Sequence, residues 1–329
     1  MQTAPAPIAL TTAPTAASAP ELAGWWLKFN DPVLGELVSR SLQANTSIRS
    51  AQAALQQSRA LREVKAAGLV PTVSASGSAR SSQTNEVDPA NSFQAGLDAG
   101  WEIDVFGGKR SGVRAAVDDA QAAEATLANV QVSVASEVAL AYIQLRGLQA
   151  QLAIARTNLD SQKETLQITD WRAQAGLTTS LEVEQARTAT EQTASQVPVL
   201  EANISKARHA LAVLTGQTPD GLLALVASAQ PVPQAPADLA LSIPAQTLRQ
   251  RADVRAAEHR ITAALARVAA ADAARYPSFS ISGSLGLNAL TLAALTNGAS
   301  VAKAILGSIS VPLLDGGAAR AQVQIQEAA

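Results

Sequence analysis

The sequence predicts a mixed α and β chain in which one unit, helix–β-hairpin–helix, is written twice. Three observations predict it. PTVSASGS at 71–78 and PSFSISGS at 277–284 repeat one phrase, with Pro71, Ser74, Ser76, Gly77 and Ser78 matching Pro277, Ser280, Ser282, Gly283 and Ser284; Arg49/Arg255, Ala60/Ala266 and Ala67/Ala273 match at the same offset. Apolar residues recur with a period near 3.6 over long stretches, as in helices. Two shorter stretches switch to a period of two, as in strands with unlike faces.

Taken in order, residues 1–30 are rich in Ala, Pro and Thr and read as an extended N-terminal arm. Asp31-Pro32 supplies a capping acceptor and a proline at the first helical position. The helix of the first repeat spans 31–69, with Leu34, Leu37, Val38, Leu42, Ile48, Ala51 and Leu55 at helical spacing, and Gly68 and Pro71 end it. The hairpin of 70–106 follows. Val73, Ala75, Gly77 and Ala79 alternate with serines and Arg80; after a polar turn, Phe93, Leu97, Trp101 and Ile103 fall on one face and Gln94, Asp98, Glu102 and Asp104 on the other.

Gly107-Gly108 breaks the strand, and a long helical hairpin is predicted over 107–216. Its first arm carries a heptad seam through Val138, Ala141, Leu145, Leu148, Leu152, Ala155, Leu159 and Leu166. At 1.5 Å of rise per residue this arm is roughly 95 Å long, far more than an ordinary domain needs. GLTTS at 176–180 turns the chain, with Gly176 as a C-cap. The returning arm has its seam at Val183, Ala186, Thr190, Thr193, Val197, Leu200, Ile204, Ala207, Leu211 and Leu214, with Pro198 inside it. Residues 217–244 hold five prolines and read as an extended connector. The second copy then runs as a helix at 245–275, a hairpin at 276–315 with Phe279, Ile281 and Leu285 on its apolar face, and the start of a helix at 316–329.

Composition narrows the function. The 329 residues carry a net charge of −2 and only 16% charged side chains, so neither a basic nucleic-acid surface nor an acidic tail is present. Aromatics are only 3% while alanine abounds, which suits closely packed long helices. The absence of cysteine excludes disulfides, thiolate metal sites and cysteine nucleophiles. No uninterrupted apolar run reaches the ~18–20 residues of a spanning helix.

The hairpins are the informative part. A tilted strand of about 9–11 residues crosses a bilayer core. The helices spend their apolar seams on each other, so nothing left over covers the apolar face of the hairpins. Lipid can, with the polar face lining water. A sheet in lipid must close, because an open edge leaves backbone groups unpaired. Four strands cannot close around a water-filled lumen, so several copies must share one barrel. Trp101, Phe106, Tyr276 and Phe279 lie near the strand ends that join the helices, where an interfacial aromatic girdle belongs.

In WWLKFNDPVLGELV (25–38), WEIDVFGG (101–108), VALAYIQLRG (138–147), RAQAGLTTSLEVEQAR (172–187), LAVLTGQTP (211–219) and QRADVRAAEHRI (250–261), the chain resembles the TolC-type outer-membrane factors, nearest their OprM/NodT-like branch. These stretches run in order along almost the whole chain. The resemblance implies a homotrimer in the outer membrane of a Gram-negative bacterium. Each protomer would give four strands to a 12-stranded barrel and its helices to a periplasmic tunnel. The implied function is a passive exit duct of a tripartite, RND-type multidrug efflux system, fed by an inner-membrane pump through a periplasmic adaptor and needing no cofactor. It also implies that Arg172, Gly176, Leu177, Thr178, Thr179 and Ser180 form the tunnel tip that contacts the adaptor. Three features depart from that pattern. The branch often begins with a lipidated cysteine, absent here; its Arg-Pro-Asp-Val reads Arg251-Ala252-Asp253-Val254; and the second long helical hairpin is missing, so the second repeat reads as truncated.

The residues offer no catalytic or metal constellation. His209 and His259 each stand alone on a helix and read as structural or solvent-facing. GGKRS (107–111) lacks the upstream glycine of a phosphate loop and reads as a strand-to-helix break. Asp98, Glu102 and Asp104 read as acids of a hydrated lumen, and Asp118-Asp119, Glu182 and Glu184 as solvated helix faces. From chemistry alone, Arg172 and Gly176 equally fit a C-cap with a cation at the helix's negative end. The alternative to a duct is a soluble coiled-coil scaffold or adaptor; it explains the heptads and leaves the two-faced hairpins unexplained.

Overall fold

A computed structural model describes residues 24–83, 90–234 and 251–329. The chain divides into two compact units, Met1–Gln52 with Leu127–Ala252, and Ala53–Thr126 with Asp253–Ala329. Most of the expected 1–30 arm lies outside the described residues. Its end is not extended as expected: Trp25–Phe29 forms a 3-10 turn in which Trp25 meets Trp26 and Phe29 edge-on, each at 6.0 Å, against the core of the first unit. Partly burying three aromatic rings favours the compact turn over an extended strand.

Helix α1, Pro32–Ala44, is capped by Asp31, whose carboxylate accepts from the amides of Val33 (2.9 Å) and Leu34 (3.0 Å). Leu34, Leu37 and Val38 are fully buried. The single helix expected over 31–69 is in fact two, because Asn45 interrupts it. The Asn45 side-chain oxygen Oδ1 accepts from the Ser47 amide (2.8 Å) and restarts the chain as α2, Thr46–Ala67, while its Nδ2 donates to the Leu214 carbonyl (2.9 Å). A side chain that caps one helix and pins another is worth more here than an unbroken backbone ladder.

Helix α3, Gly108–Gln174, runs through both units, and α4, Ser180–Thr215, returns against its later part. By length and composition α3 could cross a membrane, yet Val138, Tyr142 and Leu145 on it are buried in protein. Cross-links run in descending register: the Thr190 hydroxyl donates to the Gln162 carbonyl (3.4 Å) and Arg156 meets Glu201 (2.6 Å), so the pair is antiparallel. The buried and half-buried positions of α4 follow the seam from Val183 to Leu214, and Ile204, Ala207 and Leu211 join Val138, Tyr142 and Leu145 in the core.

Gly216 ends α4 at φ 62°, and a Cβ there would lie 2.9 Å from the Ala44 carbonyl. The connector is not wholly extended as expected: Pro219–Val226 forms α5, with Pro219 in its first turn, the Thr218 hydroxyl accepting from Gly221, and Leu222 and Val226 buried. A cap, a favourable first-turn proline and two core side chains outweigh the local proline richness. Residues 235–250, the rest of the connector and the first residues of the predicted 245–275 helix, lie outside the described set.

The second unit holds a four-stranded antiparallel sheet in the order β1-β2-β3-β4, with β1 Thr72–Ser82, β2 Ala90–Ile103, β3 Ser278–Ala289 and β4 Val301–Ser310. Both hairpins thus join one sheet through β2 and β3. The register lines up like faces: Val73, Ala99, Gly283 and Ile305 form one row, and Ala75, Leu97, Leu285 and Lys303 the next. On the opposite face Ser76, Gly96, Gly286 and Ala302 align. A Cβ on Gly96 would come within 3.3 Å of the Gly286 Cα and the Leu285 carbonyl, so the two central strands approach closely there. The returning strand stops at Ser310, and residues 311–315 lead out of the sheet to α7, Ala318–Ala328. Helix α6, Ala252–Ala273, packs on the first part of α3: Arg267 pairs with Asp119 at 2.5 Å, Arg260 donates to the Thr126 hydroxyl (3.2 Å), and a Gly108 Cβ would sit 3.1 Å from that of Ala273.

Candidate functional site

The sheet brings together the residues that alternation assigned to two faces. Phe93, Leu97, Trp101, Ile103, Phe279, Ile281 and Leu285 all share one face through the registers Leu97↔Leu285, Trp101↔Ile281 and Ile103↔Phe279. Leu97, Leu285 and Ile305 are exposed, at 50%, 53% and 87%, so among the described residues no layer covers that face. At its helix-side end Phe106 stacks on Tyr276 at 5.0 Å and lies 6.4 Å from Phe279, while the Trp101 indole N–H donates to the Leu69 carbonyl (2.9 Å). Amphipathic rings with one satisfied polar atom suit a boundary between oil and water.

The other face is polar and lightly charged. Gln94 lies opposite Ser78 and Asn288, and Asp98 opposite Ser74 and Ser284. The Ser76 hydroxyl donates to the Asp98 carboxylate (3.3 Å). Glu102 is engaged by Lys109 at 3.1 Å. Asp104 does not line this face as expected. It lies past the end of β2, and its carboxylate accepts from the amides of Lys109 (3.1 Å) and Arg110 (2.8 Å) and from the Arg110 guanidinium (3.1 Å). Burial pushes its carboxyl upward, but the amides of Arg110 and Lys109 and the Arg110 guanidinium outweigh that and hold it below the usual aspartate range. Asp315 does the same at the second junction, accepting from the amides of Gly317 and Ala319, each at 2.9 Å, and these depress its pKa. An aspartate upstream of each Gly-Gly, Asp104 three residues before Gly107 and Asp315 immediately before Gly316, thus caps the helix at both strand-to-helix exits.

The hairpin tip lies in the first unit. Gly176 adopts φ 71°; its amide donates to the Ala173 carbonyl (2.9 Å) and that of Leu177 to the Arg172 carbonyl (2.8 Å), the paired bonds of a Schellman turn. Arg172, Leu177, Thr179 and Ser180 are exposed around it, and the half-buried Thr178 bonds Glu182 through its hydroxyl.

Two groups were not legible in advance. Arg146 is fully buried; its Nη1 donates to Gln149 (2.8 Å) and to the Ser228 carbonyl (2.6 Å), and its guanidinium lies 4.9 Å from the Tyr142 ring. Tyr142 donates to the free oxygen of Asp31 (2.8 Å), and burial raises its pKa. The only available signal was the i, i+4, i+7 spacing of Tyr142, Arg146 and Gln149 on one helix face. Asp118-Asp119, expected on a solvated face, also meets α6: His259 lies 3.7 Å from Asp118, which is partly covered, while Asp119 pairs with Arg267 and keeps 40% of its side chain exposed. His209 is exposed on α4. Among the described residues no cluster of His, Asp or Glu could hold a metal ion.

The profile of the outer membrane efflux protein family matches residues 37–217 and 243–329. The chain belongs to that family. A probable efflux pump outer membrane protein of Pseudomonas putida, SepC, is 32% identical over 304 residues, which cover 90% of this chain and 62% of that protein. The pyoverdine export outer membrane protein OpmQ of Pseudomonas aeruginosa is 31% identical over 284 residues, 82% of this chain and 59% of that one. The solved outer-membrane channel OprN superposes with a TM-score of 0.85 at 38% identity, over 92% of this chain and 69% of that one. The chain thus spans about three fifths of the length of the curated relatives it matches. It is an outer-membrane protein with the channel fold of these structures, long helices attached to a four-stranded sheet, and its family is one of efflux proteins rather than enzymes.

Proposed function

We propose that this chain is the protomer of a trimeric outer-membrane exit duct, in which three sheets close one 12-stranded barrel and the long helices form a periplasmic tunnel. The observation that carries the proposal is the apolar face, continuous over four strands, exposed at Leu97, Trp101, Ile281, Leu285 and Ile305, and ending in free edges at β1 and β4. Free edges are unsustainable in lipid unless β4 of one copy pairs with β1 of the next. The polar face then lines the lumen, with Asp98 as its unsalted carboxylate and the Asp104 and Asp315 caps stiffening the exits into helix. Arg172, Gly176, Leu177, Thr178, Thr179 and Ser180 form the inner tip and meet a periplasmic adaptor, through which an inner-membrane pump delivers substrate. Transport through the duct is passive and needs no cofactor; substrate choice rests with the pump, and no residue of the lumen is specific enough to impose it. The test is reconstitution of the full chain in planar bilayers. A trimer with a water-filled conductance supports the duct, and a monomer that stays dispersed without detergent sinks it. An Asp98→Lys trimer should shift its reversal potential in a salt gradient toward anions; an unchanged potential places Asp98 away from the ion path.

A further inference from the structure

Among the described residues of the apolar sheet face, Lys303 is the only charged one. It stands on β4 opposite Leu285, in the row Ala75–Leu97–Leu285–Lys303, and among the described residues neither a carboxylate nor another hydrogen-bond partner reaches its exposed ammonium. A lone cation in hydrocarbon is costly, so it requires a counter-charge. The sheet does not supply one. The free edge strand β1, which another copy would bring to β4, presents Val73, Ala75, Gly77 and Ala79 on this face. Among the described residues nothing answers this charge, which points to the surrounding lipid as the source of the counter-charge.

Position and shape specify which part of the lipid. Lys303 stands two residues into β4 from the hairpin end, at Val301, roughly 7 Å along the strand and within reach of a lysine that extends toward the headgroups. The hairpin end is the one remote from the helices in sequence, and on the duct reading it faces outward. Beside the lysine lies a shallow groove of about 640 Å³, floored by Gly283 and walled by Val73, Leu97, Leu285 and Ile305.

We propose that Lys303 and this groove bind a phosphate-bearing lipid of the outer leaflet, the ammonium taking the phosphate and the groove part of one acyl chain. The site rests on the sheet meeting hydrocarbon, as the duct reading requires. The test uses trimers of the full chain, wild type, Lys303→Met and Lys303→Arg, in phosphatidylethanolamine vesicles containing diphosphorylated lipid A, and measures the lipid A retained per trimer after detergent washing. Wild type and Lys303→Arg should retain it, and Lys303→Met should lose about tenfold, the scale of one charge-assisted hydrogen bond. Excess inorganic phosphate should leave retention unchanged. Equal retention by Lys303→Met, or displacement by inorganic phosphate, overturns the lipid site and leaves the duct standing. Failure of all three proteins to enter the vesicles overturns the duct, and the lipid site with it.

Discussion

Ile281→Arg and Ser282→Arg place the same cation on neighbouring residues of β3 and differ only in the face they address. Ile281 lies between Trp101 and Gly307 on the apolar side; Ser282 lies between Gly100 and Leu306 on the polar side. An arginine on the lipid face costs about 2–4 kcal/mol at mid-bilayer and less toward the interfaces, so at Ile281, opposite Trp101 and two residues in from Phe279, the cost is about 2 kcal/mol. Ile281 is 42% exposed on the isolated sheet, so just over half of it already touches protein, and losing that contact adds about 1 kcal/mol. A total near 3 kcal/mol corresponds to roughly a hundredfold fall in the folded, inserted population. Ser282→Arg should stay within about 0.5 kcal/mol of wild type, as for a solvated surface change. The assay is equilibrium folding into vesicles across a denaturant series, read as heat-modifiable trimer. Equal damage from both variants, or more from Ser282→Arg, would refute the assignment of faces.

Asp104→Ala should destabilise the junction by about 1–2 kcal/mol by orphaning two amides at the start of α3, measured by thermal melting of the trimer. The Asp104 pKa is depressed in the folded chain, so its stabilisation is present above the unfolded aspartate value and is lost as pH falls through the folded one; Asp104→Asn should flatten that part of the melting profile below about pH 4. Gly216→Ala should cost more than Gly176→Ala in the same melts. Both residues have positive φ, but a Cβ at Gly216 meets the Ala44 carbonyl at 2.9 Å and one at Gly176 meets nothing within 4 Å, so the latter loses only about 1 kcal/mol. Arg146→Ala should cost about 3 kcal/mol by stranding Gln149 and the Ser228 carbonyl, and Arg146→Met less, because two of the guanidinium nitrogens have no partner to lose; chemical denaturation separates the two.

The parts of this fold that are periodic were legible from the residues. Alternation at Phe93, Leu97, Trp101 and Ile103 is a local signal, and the strand register preserves it because a slip by one residue would turn every side chain over. The α4 seam was equally readable, since one face of one helix records its whole contact surface. What escaped depends on single side chains acting at a distance. Asn45 breaks a helix whose apolar period continues straight through it. Asp104 keeps step with the alternation of β2 for one residue too many, and only the two amides beyond Gly107-Gly108 show that it belongs to the next element. The buried Arg146 depends on a carbonyl 82 residues away, which no window along the chain can display.

The Gly96–Gly286 pair has a further consequence. Side chains are missing from both central strands at one level, on the side proposed to face water. A ribbon relieved of bulk on one surface can curl toward that surface, and the barrel proposed above needs its hollow on the wet side. On that reading, the direction in which three such ribbons would wrap is prepared by two glycines that each carries before they meet.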